Sequence, residues 1–484
     1  MNTSDAAAGK VGSRSGRGIA IIVAAIAVVG AVGASLWVAG RQRQAREPDI
    51  VLVTLDTLRA DRLGSYGGPA VTPHIDVLAS EGVLFENAVA PVPSTLPAHF
   101  SIFTSRYPRQ LGVLDNETPL GANETTLAQL LHGRGYATAG FVSTSILNPA
   151  SGAARGFDTF DSPQQYPQRG AQISMPRALQ WLAQTSRTQP IFLWVHLYDP
   201  HMPYNPPKQF APPATPWSTT LPLFSWPALL EVTQGSGGAL PASGLEYGLA
   251  LYQGEVRKTD KWVGKLTDAL RERGTLDRTI LVVTADHGEC FEHGAYFEHS
   301  PCLYDGALRV PLFIRYPAAV PAGVRRRTPV EHVDLAPTIL TLAGVPVPES
   351  FTGHALFGSG RRRKTHAFVQ HPRYSPQAIT FLQNRRQRLK QVAGSTTMPV
   401  MASSDQYAVR NARWKYLITE GAEELYAIRT DAKEEHNVAA EQPKILQQMR
   451  DALKTWRATY PAVEPTAAPL DPATAEALRK LGYR

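Results

Sequence analysis

Cysteine is nearly absent. Cys290 and Cys302 are the only two in 484 residues, too few for a zinc knuckle, and neither stands where a cysteine nucleophile would need a partner. They enclose the short stretch FEHGAYFEHSP, and in an oxidising compartment such a pair reads as a disulfide worth about 3 kcal/mol in the chain-entropy model. No repeat with a period of twenty to fifty residues is present, which excludes solenoids and propellers. The formal charge of +8 is spread along the chain without a nucleic-acid-binding motif, so nucleic acid is not an expected partner. The long uncharged apolar run is at the N-terminus, GIAIIVAAIAVVGAVGASLWVAG from Gly18 to Gly40, between Lys10, Arg14 and Arg17 on one side and Arg41, Arg43 and Arg46 on the other. It is long enough to cross a bilayer as a helix, too long for an ordinary signal-peptide core, and followed by a poor cleavage site. We read it as an uncleaved signal anchor, with the basic tail cytoplasmic and the large domain outside, periplasmic or extracellular.

The rest is a globular sequence, 43% hydrophobic, large enough for a substantial core. Three apolar runs read as buried strands that finish in polar residues: Ile50 to Leu55, the PIFLWVHLYDPHMPY segment from Pro190, and TILVVTADHGE from Thr279. Helix-period segments such as ETTLAQLLHGRG and GEVRKTDKWVGKLTDALRERG lie between such runs, the second ending in a capping Gly274. Alternating strands and helices imply an α/β domain with a largely parallel sheet, in which ligands bind beyond the carboxyl ends of the strands. Asn205 to Pro227 is rich in proline and is expected to be an irregular surface excursion beside the site. The pattern changes near Gly344, after which RWKYLI and EELYAI read as strands and PKILQQMRDALKTWRAT as an amphipathic helix of a smaller α+β subdomain.

The strand ends carry the chemistry. Asp56 follows the first strand, Asp286 and His287 follow another, and Thr95 opens a helix in VPSTLPAHFSIF. Ser94 and Thr95 could simply cap that helix. Two strand-terminal acids, an imidazole and a hydroxyl are also what a metal needs to hold and deprotonate an alcohol nucleophile. Arg59, His99, His201, His293 and His299 add groups that suit an anionic ester, neutralising its oxygens and protonating the leaving group. His74, His196, His332 and His354 read as packing or surface residues.

DIVLVTLDTLRADRLGSYG, TPHIDVLASEGVLFENAVA, SIFTSRYP, HLYDPHMPY, TADHGE, LYDGALRVPLFIRYP, VDLAPTILTLAGVPVP and the late RWKYLI segment follow one another in an order that resembles the sulfatase family of the alkaline-phosphatase-like superfamily. The resemblance runs from Pro48 to about Thr459 and implies a mixed, largely parallel sheet flanked by helices. It divides the chain into a tail (1–17), the anchor (18–40), a linker (41–47), a catalytic domain (48–345), a C-terminal subdomain (346–460) and a last tail (461–484). Sulfatases carry Cys or Ser in a Cys/Ser-x-Pro-x-Arg motif and oxidise it to formylglycine. Here Thr95 stands at that position and His99 at the arginine, and threonine cannot become formylglycine by that route. The TLPAH segment is instead similar to the Thr-x-Pro-x-His segment of nucleotide pyrophosphatases/phosphodiesterases, which use an unmodified threonine. Thr57 replaces the second acid of a paired Asp-Asp, and His287 replaces a common asparagine. The resemblance therefore implies one divalent ion held by Asp56, Asp286, His287 and Thr95, with calcium, zinc and manganese all compatible with the softened set. Thr95, His99, His201 and His299 are the catalytic candidates, and Arg59 and His293 the substrate-binding ones.

The expected function is hydrolysis of a sulfate or phosphate ester by Thr95. Two rivals share the sequence: a transferase that passes a phospho-substituent to another acceptor, and a catalytically silent relative that binds an anionic glycan. The cysteine pairing is checked directly: thiol titration of the denatured, unreduced protein should find no free cysteine. Two free thiols would remove the bridge.

Overall fold

A computed structural model describes residues 47–164, 168–235, 241–293, 297–300, 302–358, 364–372 and 404–464. The anchor expected over 18–40 and most of the tail expected over 461–484 lie outside them. Among the described residues no helix is long and apolar enough to cross a membrane.

An eight-stranded mixed sheet forms the centre. In chain order its strands are β1 (Asp49–Leu55), β2 (Val83–Phe85), β3 (Ala137–Val142), β4 (Thr159–Asp161), β5 (Ile191–Leu197), β6 (Thr279–Ala285), β7 (Leu312–Arg315) and β8 (Val324–Arg326). They lie side by side as β8-β2-β7-β6-β1-β5-β3-β4, with β6, β1, β5, β3 and β4 parallel and β7 antiparallel to both neighbours. Every residue of β1, β5 and β6 is buried, because helices cover both faces of such a sheet and its strands must be apolar on both sides. Leu55 pairs with Leu197 on one side and Ala285 on the other. The three strands therefore end level, and the polar residues that follow them share one edge.

Helix α1 (Thr95–Thr104) is buried along its whole length. Helix α2 (Ala171–Gln184) packs on β5 and on α3 (Ala242–Glu272), which starts twelve residues before the segment whose periodicity marks it in the sequence. Its end is as expected: Gly274 takes the left-handed conformation at φ +73°, where a Cβ would be strained. The proline-rich excursion holds more regular structure than its composition suggests. Pro216–Thr220 is a short helix whose proline sits in the first turn, where its missing N–H costs no bond, and Trp226–Gly235 is a second.

The C-terminal part is a four-stranded antiparallel sheet, β9 (Ala367–His371), β10 (Gln406–Arg410), β11 (Lys415–Thr419) and β12 (Ala422–Tyr426), with α4 (Pro443–Thr459) against it. Leu446, Met449, Leu453 and Trp456 form the buried stripe of α4, three to four residues apart as an amphipathic helix requires. Tyr107 and Val333 from the main part enter the same apolar cluster. Ion pairs complete the junction: Asp305 meets Arg410 at 2.9 Å and Lys415 at 3.0 Å, and Lys415 also meets Glu434 at 2.7 Å. The two arginine and lysine partners hold the Asp305 carboxyl well below its ordinary range. Asp305→Ala would leave two buried cations with one acid, so it should cost about 3–5 kcal/mol in denaturant unfolding. Asp268→Ala, which breaks an exposed i,i+3 pair with Arg271, should cost no more than about 0.5 kcal/mol. Equal effects would mean that the Asp305 cluster is not part of the folded junction.

Candidate active site

The level strand ends bring two acids together. Asp56 follows β1, and its N–H donates to the Leu197 carbonyl at 2.9 Å. Asp286 follows β6, and its Oδ1 accepts from the His287 amide at 2.8 Å and the Thr57 amide at 3.3 Å. Thr57 reaches it by adopting φ +55°, an expensive conformation for a β-branched residue that the surrounding turn must impose. Tyr252 pins that turn, donating to the Thr57 carbonyl at 2.8 Å and accepting from the Arg59 amide at 3.0 Å. Asp56 Oδ1 and Asp286 Oδ2 are buried without a hydrogen-bond partner. Burial pushes both carboxyls up to about 7, opposed at Asp56 by His287, while Asp56 itself adds to the rise at Asp286.

His287 faces the same point. Its Nδ1 bonds the Gly288 carbonyl at 2.9 Å, which places the proton on Nδ1 and leaves the Nε2 lone pair free. Nε2 lies 3.5 Å from Asp286 Oδ2, 3.9 Å from Asp56 Oδ1 and 3.5 Å from Thr95 Oγ1. Burial lowers the imidazole to about 4, with His299 next in weight, so the ring is neutral near pH 7. A lone pair and two carboxylate oxygens converging within 4.8 Å repel one another unless a cation lies among them. The donor set thus fits a divalent ion, with Asp56, Asp286 and His287 as ligands and the Thr95 hydroxyl beside them.

Thr95 is fully buried at the first position of α1. Ser94 occupies the cap position but makes no side-chain cap bond. Asn116 does the capping, its Oδ1 accepting from the Leu96 amide at 2.8 Å and from Ser94 Oγ at 3.1 Å. A residue twenty positions downstream could not be assigned that job from local sequence.

The other expected site residues divide. His299 stacks on His287 with centroids 4.4 Å apart, and His201 meets His299 edge-on at 5.3 Å. His99, a catalytic candidate from the sequence, makes its hydrogen bonds within the protein. Its Nδ1 donates to the Thr95 carbonyl at 2.7 Å, and its Nε2 accepts from Thr54 Oγ1 at 3.0 Å, which in turn accepts from Trp194 Nε1. Both ring nitrogens are thereby used within the protein, and the ring braces the start of α1. Arg59 is likewise engaged by the protein rather than open to substrate. Asp61 binds its Nε and Nη2 at 2.8 Å, Glu292 its Nη1 at 2.8 Å, and the Glu289 carbonyl its Nη1 at 3.0 Å. His293 points elsewhere, bonding the Lys433 carbonyl at 2.8 Å and stacking on Tyr304.

Two residues enter that sequence reasoning missed. Glu289 is buried, accepts from Tyr204 at 3.4 Å and sits 3.2 Å from His299 Nδ1. It closes the TADHGE motif two residues after His287, and that spacing was the available signal. His196, read as a packing residue, lies at the end of β5 opposite Thr54, with Nε2 3.5 Å from Asp56 Oδ2. Cys290 and Cys302 are bonded, Cα atoms 6.4 Å apart, and tie the loop that carries Glu298 and His299.

The sulfatase family profile matches residues 48–345. Arylsulfatase K of Danio rerio is 26% identical over 468 residues, covering 86% of this chain and 84% of that protein. N-acetylglucosamine-6-O-sulfatase of Bacteroides thetaiotaomicron is 25% identical, covering 65% and 71%. Among solved structures, a complex with D-glucosamine-2-N,6-O-disulfate superposes with a TM-score of 0.70 at 20% identity, covering 87% of this chain and 99% of the other. Phosphonate monoester hydrolase of Agrobacterium radiobacter does so at 0.65 and 21% identity, covering 85% and 96%.

Protein purified without chelators should carry about one divalent ion per chain and lose thermal stability on chelation, because an ion that binds only the folded state stabilises it. Asp286→Ala should abolish both the ion and the response to chelator. Metal analysis and a melting curve read the two independently of activity, and an unchanged melting curve would contradict the assignment.

Proposed function

The chain belongs to the sulfatase family, and from that premise we propose that it hydrolyses sulfate or phosphate esters with an unmodified Thr95 as nucleophile. One observation carries the reading: the Thr95 hydroxyl lies 3.5 Å from His287 Nε2, at the N-terminus of α1 and beside the Asp56–Asp286 pair. A divalent ion bound by Asp56, Asp286 and His287 would lower the pKa of that hydroxyl and neutralise one ester oxygen. The start of α1 offers partial positive charge to the remaining oxygens, and His99 fixes it by holding the Thr95 carbonyl.

Thr95 gives up its hydroxyl proton to solvent as its Oγ attacks sulfur or phosphorus, forming a new S–O or P–O bond while the bond to the bridging oxygen breaks. The departing alkoxide takes a proton from His201 or His299, the latter oriented by Glu289. Water then attacks sulfur or phosphorus of the threonine ester and gives a proton back to that histidine, while the departing Thr95 oxygen regains a proton from solvent and sulfate or phosphate is released. Both anions are tetrahedral, and the names of the relatives span both chemistries: arylsulfatase and glucosamine sulfate on one side, phosphonate monoester on the other. The uncharged run from Gly18 to Gly40 supports a single membrane anchor with this domain outside the cytoplasm.

Turnover of aryl sulfate, phosphate monoester and phosphate diester is the test. Thr95→Ala should lower kcat by about a thousandfold or more while retaining the ion, and Thr95→Ser should keep partial activity because the attacking atom survives. Ser94→Ala should change kcat by less than about threefold, since Asn116 and not Ser94 satisfies the helix amide. Near-normal turnover in Thr95→Ala would overturn the proposal.

A further inference from the structure

Buried arginines elsewhere in this fold are matched. Arg59 has Asp61 and Glu292, Arg410 has Asp305, Arg315 has Glu81 and Asp277, and Arg273 has three main-chain carbonyls. Arg109, one turn past α1, is not. It is 5% exposed, its Nε and Nη1 have no hydrogen-bond partner, and no carboxylate pairs with it among the described residues. Its support is the Trp456 ring, 4.8 Å from the guanidinium carbon. A buried guanidinium is unfavourable unless an anion or acceptors answer it.

Arg109 lines a cleft of about 580 Å³, together with one face of α4. Arg450, Lys454 and Arg457 line the same cleft, four and three residues apart and so on adjacent turns of one helix face. Glu423 is the acid on its wall, and Arg450 and the Tyr416 hydroxyl already engage it. Neither Lys454 nor Arg457 forms an ion pair among the described residues, and Arg457 lies over the Tyr407 ring at 4.8 Å. Leu453 and Pro461 supply apolar wall, and the Val463 amide fastens the closing segment to the Arg109 carbonyl at 2.8 Å. None of the residues around Thr95 contributes.

We propose that this cleft binds a small organic oxyanion, with the anionic group held by Arg109, Arg457 and Lys454 and an apolar body against Leu453 and Pro461. The volume suits a molecule of one or two rings rather than a polymer, and the planar fork of an arginine matches a carboxylate, sulfonate or phosphonate. Binding in this cleft does not depend on the reaction proposed for Thr95.

The test titrates naphthalene sulfonate into the full chain by calorimetry, its carbon–sulfur bond being inert to ester hydrolysis. Naphthoate and naphthyl phosphonate distinguish the anion type, and naphthalene methanol is the uncharged control. At least one anion should bind saturably, and more tightly than the alcohol. Its affinity should fall about tenfold or more in Arg109→Gln and at least about threefold in the surface double variant Lys454→Gln/Arg457→Gln, which keeps the result readable if Arg109→Gln does not fold. Binding should persist in Asp286→Ala. No preference for any anion over the alcohol, undiminished affinity in the surface double variant, or loss of binding in Asp286→Ala would overturn the proposal.

Discussion

Two carboxylates that cannot satisfy each other sit side by side at the end of a parallel sheet. Because β1 and β6 are neighbours in register, Asp56 and Asp286 emerge level, and the apolar strands beneath them remove the water that would otherwise solvate their charge. Burial is the main reason that both carboxyls are pushed up to about 7, and at Asp286 the neighbouring Asp56 adds to the rise. A cation reverses that balance. The remaining features of the site hold the pair in place.

Several buried contacts contribute to this. Thr57 accepts a left-handed backbone to bring its amide onto Asp286, and Tyr252 on α3 holds the same turn from the other side. Arg59 ties the turn after β1 to the loop after β6 through Glu292 and the Glu289 carbonyl, and the Cys290–Cys302 bond closes that loop onto itself. On the opposite wall, the chain from Trp194 through Thr54 and His99 fixes the Thr95 carbonyl. Arg59 and His99, read from the sequence as a substrate-binding and a catalytic candidate, thus make their hydrogen bonds within the frame of the site. The physical reason is shared: a buried guanidinium or imidazole needs partners, and here the protein itself supplies them.

Legibility followed the range of the interactions. Asp56, Asp286, His287 and Thr95 could be read because each is fixed by its own strand end or helix start, a local property of apolar runs and their punctuation. The parallel core and the amphipathic α4 were readable for the same reason. Asn116 as the helix cap, His196 facing Asp56, and the engagement of Arg59 and His293 by Glu292 and Lys433 were not, since each depends on a partner brought close only by the completed fold. The helix Pro216–Thr220 was hidden by reading proline as a breaker where it served as a helix start.

In the proposed reaction Thr95 itself bears the transferred group. Acid-quenched protein mixed with an excess of aryl sulfate or aryl phosphate, then digested and weighed by mass spectrometry, tests it most directly. One sulfo or phospho group is expected on the peptide containing Thr95, located at that residue by fragmentation and absent from Thr95→Ala. Steady turnover with the group found on Ser94, or with a formylglycine at another position as the reacting residue, would contradict it.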